Sequence, residues 1–544
     1  MPKWYGVVMM GMVAATIHLT LPKWENKVYR GRYMGNGLQM VAMLVLTYHL
    51  VYALVADVIM RDIPDMGYLY IKGVFDNPTG FALHTCVLVA MIGTHPILRL
   101  QPLSVFQTFN GLCTPFGSPV IGGQKPPRGR MPSGRSLLSF GGRLWERVLI
   151  FSSAVMVFLS ECRTGMVCMT VIILLMIYRE MRRRIKPGEL RLWGTVISSG
   201  VLLAVVLYVF SVKQESTGGR RFILERTWEL IEEHPLTGYG WHGFEREYMP
   251  QQAEYFKAHP DSPAAWYADE ISHPLNEFLY LWVDFGIIAP LLLLLLFAVP
   301  YYFSLQGHRG CREGRGHRGS LMMAVMVVLL FSLTSYPFLY PLPWVVMVLT
   351  YLEMLRQPID RLKQRYRKTM MVASIGICFA GLALTIWEMT CEHEWAKLNR
   401  GVERHYTAAV IDRYDRLFGH YNSNPRFLYS YMVAQYKVSR LDEATNTYHQ
   451  LRQYADTYDM ELLAGDTYRH KQLHAEALQH YETAMWMCPV RFAPLEGMMQ
   501  TYRDSGDSFR ADSIAQVILA KPVKVPSPQV EEIKRKAREG CHQR

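Results

Sequence analysis

Residues 147–178 read R-V-L-I-F-S-S-A-V-M-V-F-L-S-E-C-R-T-G-M-V-C-M-T-V-I-I-L-L-M-I-Y, an apolar stretch of about 32 residues that decides the fold. One helix needs only about 20 apolar residues to cross a bilayer. Strongly basic runs flank the stretch at 124–130 and 178–186, and such runs stay on the cytoplasmic side of a membrane. The stretch therefore crosses an even number of times, which predicts a hairpin that turns near S-E-C-R-T-G (160–165). Arg163 is then placed at or just below the outer membrane face.

Other apolar stretches extend this hairpin into an all-α, polytopic membrane domain of about ten spans. They lie around 4–20, 37–60, 79–98, 193–212, 276–304, 320–335, 344–355 and 369–388. Pro337, Pro341 and Pro343 interrupt the pair 320–335 and 344–355. The same count of crossings places residues 213–275 outside, together with everything after the last span. We therefore expect a multi-pass protein of the bacterial inner membrane whose large loop and C-terminal part are periplasmic.

Composition and charge agree with a membrane protein and exclude several soluble classes. Half of the 544 residues are hydrophobic, and the net charge of +12 comes from 58 basic and 46 acidic residues. The basic excess falls in short clusters between apolar stretches, at 23–32, 308–318 and 361–368, which argues against nucleic-acid binding. The nine cysteines show neither metal-ligand spacing nor a disulfide framework. The first apolar stretch lacks a small-residue cleavage site, so we interpret it as a retained span.

The C-terminal region repeats with a period of about 34 residues, which is typical of tetratricopeptide helix pairs. The small and aromatic residues at matching positions, with the prolines that close two of the units, are Ala444, Ala477, Ala511, Tyr448, Tyr481, Pro489 and Pro522. We predict a membrane domain in 1–390, a linker or helical segment in 391–425 and a tetratricopeptide-like domain in 426–544. The array is either a rigid appendage on the periplasmic face or a concave surface that recruits a protein partner.

Three arginines near the outer face could bind an anion. An arginine in an apolar segment such as Arg163 costs on the order of 2.5–3.5 kcal/mol to insert, so it needs a ligand or partner. The segment 218–244 predicts an amphipathic helix along the membrane that begins after Gly219 and ends at H-P (234–235). Arg220 and Arg221 then stand at a helix N-terminus, an arrangement that suits a phosphate or pyrophosphate. The alternatives are snorkelling of Arg163 to the headgroups and anchoring of the helix to anionic lipid.

Two further segments carry candidate polar residues. His273, Asn276 and Glu277 fall within about one turn at the outer end of the stretch 276–304. A neutral histidine can accept a proton from a hydroxyl, and a neighbouring Glu or Asn can orient it. The other reading of His273 is an interfacial helix cap. The segment G-V-F-D-N-P-T-G (73–80) marks a turn into a helix, and Asn77 alone indicates only a capped helix start.

These four segments, in this order and on one side of the membrane, resemble the O-antigen ligase and Wzy polymerase superfamily. Its members share a G-x-F-x-N-P motif, an arginine turn, a long periplasmic loop that opens with Gly-Arg and continues to H-P-x-x-G-x-G, and a closing His-Asn motif. The matching residues are Gly73, Phe75, Asn77, Pro78, Ala82, Ser160, Arg163, Gly165, Gly219, Arg220, Pro235, Gly238, Gly240, His273, Asn276 and Glu277. In this chain Pro274 and Leu275 separate the histidine from the asparagine.

The resemblance implies glycosyl transfer at the periplasmic face. An undecaprenyl-pyrophosphate-linked glycan would be the donor, and a hydroxyl of lipid A-core, of a protein or of a growing glycan would be the acceptor. Arg163 and Arg220, with Arg221, would neutralise the pyrophosphate, and His273 would act as general base. We assign Asn77, Asn276 and Glu277, with Arg221, to substrate binding. We expect no metal, because no Asp, Glu and His cluster at ligand spacing appears and the arginines can take its place, and we expect no cofactor.

Two alternatives within the same chemistry and two outside it remain open at this point. A ligase and a repeat-unit polymerase share these motifs, although the repeats favour acceptor or partner recruitment. A lipid-glycan transporter would show internal repeats and ionisable residues at mid-membrane, whereas the charges here gather at one face. A membrane-anchored scaffold that acts through its repeats would not need the arginines.

Overall fold

The computed structural model describes residues 27–59, 71–75, 77–92, 135–181, 200, 215–306, 315–361 and 364–542. Within them the fold is all-α, as predicted, with nineteen α-helices and no strand. In chain order they are α1 Lys27–Ala53, α2 Pro78–Ile92, α3 Arg135–Leu159, α4 Arg163–Met181, α5 Glu215–Glu233, α6 Gly243–Ala258, α7 Glu277–Phe285, α8 Ile288–Gln306, α9 Arg315–Ser332, α10 Pro341–Arg361, α11 Gln364–Glu403, α12 Thr407–Tyr421, α13 Pro425–Lys437, α14 Leu441–Leu451, α15 Tyr458–His470, α16 His474–Met487, α17 Ala493–Asp504, α18 Ser508–Ala520 and α19 Pro528–His542. The predicted span 4–20 and, apart from residue 200, the span 193–212 lie outside the described residues.

Helices α3 and α4 form the predicted hairpin, with its turn at residues 160–162. Glu161 adopts a left-handed φ of 52°, and the Ser160 N–H donates to the Met156 carbonyl at 2.9 Å, which closes α3. The hairpin packs closely on α2. A Cβ atom at Gly165 would lie 2.6 Å from the Cβ atom of Ala82, so only glycine lets the two backbones approach this far. The turn and the start of α2 therefore lie side by side.

Several helices are apolar enough for a membrane. Among the described residues, one helix contains a stretch, Met40–Asp57, that is both long and apolar enough to cross. Shorter apolar helices lie at Pro78–Ile92, Arg163–Tyr178, Ile288–Phe303, Arg318–Ser332 and Pro341–Met354. Several of their large side chains face outward, and Leu44 and Leu291 are 67% and 56% exposed. The count of about ten spans stays a prediction.

The large loop folds onto the start of the return segment. The H-P-L-T-G-Y-G segment (234–240) clamps the end of α7: the Tyr239 and Gly240 N–H groups donate to the Val283 and Asp284 carbonyls at 2.9 and 2.7 Å. The apolar stretch 276–304 is consequently two helices rather than one. Gly286 has a φ of 72°, and the Ile287 N–H donates to the Pro235 carbonyl instead of continuing α7.

The C-terminal helices pair antiparallel as α13 with α14, α15 with α16 and α17 with α18. The pairs begin at Pro425, Tyr458 and Ala493, which is the spacing that the sequence predicts. Ala444, Ala477 and Ala511 are buried where the helices meet. Residues 391–421 are helical, and they share an apolar cluster that includes Leu398, Ile411 and Phe427 with the first pair. We call residues 425–542 the C-terminal repeat; its assignment to the tetratricopeptide class and the domain boundaries stay predictions.

The C-terminal repeat lies against the large loop. Helix α16 packs along α6, and Tyr248 and Met249 of the loop share one apolar core with Tyr458 and Met487 of the repeat. Such a shared core agrees with both parts lying on one side of the membrane, which stays a prediction. The site described next lies at the edge of the loop nearest the membrane helices.

Candidate active site

A short irregular segment between α9 and α10 brings the candidate site together. It reads L-T-S-Y-P-F-L-Y (333–340), and we call it the bridging segment. Pro337 starts a single 3₁₀ turn, Pro337–Leu339, which ends at an extended Tyr340 because Pro341 supplies no N–H to continue it and disfavours helix in the residue before it. The polar groups of the bridging segment are therefore left to bond with other parts of the chain. They reach the arginine turn, the start of α2 and the histidine segment.

Arg163 and Arg220 come together from two separate segments. Arg163 opens α4 at the hairpin turn, and Arg220 belongs to α5 of the large loop. The charge of Arg220 acts on both Arg163 and the neighbouring Cys162. Like charges that act on each other repel, and an anion bound by both guanidinium groups would relieve that repulsion. The pair therefore forms a cationic site at the turn.

Arg221 points away from this cationic site. Its side chain is 81% exposed and pairs with Glu225 of the same helix at 2.7 Å. The expectation that Arg220 and Arg221 start a helix is wrong, because α5 already runs from Glu215 through both glycines. Glycine costs a helix only about 1 kcal/mol relative to alanine, so Gly218 and Gly219 do not end it. The predicted end of the helix before His234 is confirmed.

The bridging segment connects the arginine turn to the histidine segment. The hydroxyl groups of Thr164, next to Arg163, and Thr334 are 2.7 Å apart. The adjacent Leu333 carbonyl accepts a hydrogen bond from the Asn276 side-chain amide at 3.1 Å. Arg163 and His273 thus each lie within a few residues of a hydrogen bond to the bridging segment, which holds their two segments together.

His273 lies in a mostly aromatic enclosure and is 17% exposed. Its ring stacks on Tyr280 with a centroid separation of 4.5 Å and packs against Tyr336 at 5.0 Å. Its Nε2 is 3.8 Å from a Glu277 oxygen, and its Nδ1 has no hydrogen-bond partner among the described residues. Burial lowers the pKa of His273 from 6.5 to about 4, although the charge of Glu245 opposes that shift. The imidazole is therefore neutral at neutral pH and can accept a proton.

The two residues between His273 and Asn276 make a tight turn. Leu275 adopts a left-handed φ of 57°, which costs a residue other than glycine about 1–2 kcal/mol. Asn276 then caps α7 by accepting hydrogen bonds from the Phe278 and Leu279 N–H groups at 2.9 and 3.2 Å. The strained turn lets the chain place a histidine and a helix cap side by side although they are separated in sequence.

Glu277 and Asn77 are both engaged by the bridging segment. Glu277 is buried and accepts a hydrogen bond from the Phe338 N–H at 3.1 Å. Asn77 caps α2 through the Gly80 N–H at 2.9 Å, and its amide donates to the Tyr336 hydroxyl at 3.0 Å. The structure thus brings His273, Asn276, Glu277 and Asn77 around one segment. The side chains of Asn77 and Asn276 hold the bridging segment in place through their hydrogen bonds. The carboxylate of Glu277 faces His273.

Residues that the sequence did not single out complete the site. The Tyr280 hydroxyl donates to Glu245 at 3.0 Å, and His242 approaches the same carboxylate at 3.7 Å. Burial raises the pKa of Glu245, but the nearby His242 and the hydrogen bond from Tyr280 outweigh it, and the net pKa lies below its usual range. In the sequence, the prolines that follow Tyr336 indicate only an interruption between spans. The one available signal is that Tyr336 and Tyr340 each directly precede a proline.

Metal ligation finds no support in the part of the chain that the structure describes. There, no group of three or more His, Cys, Asp or Glu side chains could hold a metal ion. Whether the chemistry is metal-independent stays a prediction.

Comparison with known proteins identifies the part of the chain that carries this site. Residues 148–296 match the family model described as O-antigen ligase, Wzy_C. No curated protein matches the chain. The matched range holds the hairpin, the large loop and His273, which confirms the resemblance that the ordered motifs indicated. Asn77, the bridging segment and the C-terminal repeat lie outside it.

Proposed function

We propose, from the premise that the chain carries an O-antigen ligase domain in residues 148–296, that the site transfers a glycan at the periplasmic face of the inner membrane. This family supports a ligase- or polymerase-type glycosyltransferase role and consists of integral inner-membrane proteins. The proposal adds the donor, an undecaprenyl-pyrophosphate-linked glycan, and the acceptor, a hydroxyl of lipid A-core, protein or glycan. Two observations support it: Arg220 acts on Arg163 at the hairpin turn, and the bridging segment contacts both Thr164, next to Arg163, and His273.

The arginine pair suits the leaving group. When the bond between the anomeric carbon and the phosphate oxygen breaks, negative charge builds up on the pyrophosphate. Fixed cations aimed at that charge stabilise the transition state more than the ground state. Arg163 and Arg220 are held by different helices, α4 and α5, so the pyrophosphate would complete a contact between membrane domain and loop. Arg221, whose charge is paired with Glu225, would contribute little.

His273 supplies the other half of the reaction. The acceptor oxygen attacks the anomeric carbon, its proton passes to the neutral imidazole, and undecaprenyl pyrophosphate departs. A positioned base of this kind typically contributes about 10²–10⁴-fold. Glu277, at 3.8 Å from Nε2, would stabilise the imidazolium that forms. Release of the proton to water then restores the neutral ring.

The test is a strain that lacks the gene, complemented with the wild-type chain or with His273→Ala. Surface glycans are separated on gels, and lipid-linked glycans are extracted and measured. Loss of long surface chains with accumulation of lipid-linked polymer, restored only by the wild-type chain, supports a ligase. Chains that stop at a single repeat unit support a polymerase. An unchanged glycan profile in the deletion strain refutes the proposed function.

A further inference from the structure

We propose that the C-terminal repeat is a structural part of the active site, because it holds α6 and through Glu245 and Tyr280 sets the orientation of His273. The inference rests on the function proposed above for His273. It differs from both roles that the sequence left open, a passive appendage and a surface for recruiting a partner.

The first step is the interface between loop and repeat. Gln252 of α6 is completely buried, and its side-chain amide donates to the Met487 carbonyl at 2.6 Å and to the Asp269 carbonyl at 3.2 Å. The side chain of Gln252 thus joins α6 to the end of α16 and to the loop segment that leads to His273. Leaving these buried groups unpaired is unfavourable, so the repeat and α6 are held in one register.

An ion pair at the edge of the interface also holds the repeat against the loop. The Arg491 guanidinium bonds to Asp269 at 2.5 Å and lies 3.8 Å from Asp459. It also covers the ring of Tyr458 at 4.3 Å. Asp269 lies only four residues before His273, so Arg491 fixes the chain that enters the histidine turn.

The second step leads from the repeat to the ring of His273. The Asp456 N–H, at the end of the first repeat pair, donates to the Glu245 carbonyl at 3.1 Å. The carboxylate of Glu245 accepts from the Tyr280 hydroxyl at 3.0 Å, and the Tyr280 ring stacks on His273 at 4.5 Å and 17°. Three consecutive contacts therefore connect the repeat to the proposed base. Tyr280 and Glu245 are positioning residues, since neither faces the cationic site.

The experiment is a charge swap across the interface in the full-length protein, reconstituted in lipid nanodiscs. Arg491→Glu and Asp269→Lys are made singly and together, and transfer from the lipid-linked donor is measured with hydrogen–deuterium exchange. Each single change should lower the rate on the order of 100-fold, as a small misplacement of a catalytic group does. Each should also speed exchange in 243–258 and 268–276. The double variant should recover most of both losses, because the ion pair is restored with reversed sign.

Arg440→Glu is the matched control. Its side chain is as exposed as that of Arg491, 34% in each case, and it pairs with Asp412 and Asp415 of α12 and with Glu443 of the C-terminal repeat. It should disturb the repeat locally without changing exchange in 268–276 or the rate. Tyr280→Phe provides a variant that does not depend on the interface. It keeps the ring on His273 but loses the bond to Glu245, and should lower the rate while exchange in the repeat stays unchanged.

The outcomes separate this inference from the proposed function. Faster exchange in 243–258 with an unchanged transfer rate overturns the inference and leaves the function standing. If the wild-type chain transfers no glycan, the proposed function fails. In that case exchange in 268–276 still decides the coupling: an increase in Arg491→Glu supports it, and no change refutes it.

Discussion

The side-chain amide of Asn77 donates a hydrogen bond to the Tyr336 hydroxyl at 3.0 Å, and this bond ties the start of α2 to the ring that packs on His273. Replacing Tyr336 by Phe removes the bond and keeps the ring. A net hydrogen bond is worth about 0.5–1.5 kcal/mol, so we expect a loss in transfer rate of up to about tenfold. Tyr301→Phe, at an exposed tyrosine of α8, is the control. A Tyr336→Phe variant as active as that control would mean that the bond does not order the site.

The two adjacent arginines of α5 should differ strongly in their effect on transfer. Arg220→Ala removes one of the two cations at the hairpin turn and should reduce the rate on the order of 100-fold, the usual cost of losing a group that stabilises developing charge. Arg221→Ala removes an exposed side chain paired with Glu225 and should have a much smaller effect. The transfer rates of the two variants are measured with purified protein and lipid-linked donor and compared with that of the wild-type chain. Equal losses at the two positions would contradict the geometry of α5.

The pH dependence should reflect the enclosed histidine. A protonated imidazole cannot act as a base, and burial lowers the pKa of His273 to about 4. The acid limb of the rate should therefore lie well below the pH at which an ordinary histidine titrates. The groups that face the ring are Glu277, Glu245, Tyr280 and Tyr336. Because Glu245 raises the pKa of His273, Glu245→Gln should move the acid limb to lower pH, whereas Glu254→Gln, exposed on the same helix, should not.

The same pKa shift has a consequence for stability. The folded state holds the ring neutral, while the unfolded chain protonates it at its ordinary pKa of 6.5. The contribution of His273 to folding is therefore complete above about pH 6.5 and is lost as the pH falls toward 4. His273→Gln should flatten the decline in thermal stability over that range. An identical decline in both proteins would show that the ring is not enclosed as described.

The clamp at the end of α7 can be tested with two glycines of the same turn. Both have positive φ, 65° at Gly238 and 89° at Gly240. A Cβ atom at Gly238 would lie 2.5 Å from the Asp284 carbonyl oxygen, whereas at Gly240 it would meet open space. Gly240→Ala should cost about 1–3 kcal/mol from backbone strain alone, and Gly238→Ala should cost clearly more. Thermal unfolding of the purified protein compares them, and equal losses would argue against the close contact.

The parts of the structure that the sequence predicted are those that depend on local rules. Basic runs on both sides of 147–178 leave a hairpin as the only arrangement with both flanks inside, and H-P ends α5 because proline disfavours helix in the residue before it. The bridging segment escaped prediction for the opposite reason. Nothing local indicates that the Leu333 carbonyl bonds to Asn276 or that Tyr336 meets His273. Likewise, the sequence of α6 indicates an apolar face that must be buried, but it does not indicate that α16 buries it.

The 40-residue helix α11 runs from the predicted last span directly into the first helices before the repeat. A helix of that length is about 60 Å long, roughly twice the hydrocarbon thickness of a bilayer. The length of α11 therefore sets how far from the lipid the repeat meets the loop. The rotation along α11 sets which side of the repeat faces α6. One inserted residue would turn the repeat by about 100° and raise it by about 1.5 Å. A whole inserted turn would restore the rotation but raise the repeat by about 5.4 Å, so any change in the length of α11 displaces Asp456 from the Glu245 carbonyl.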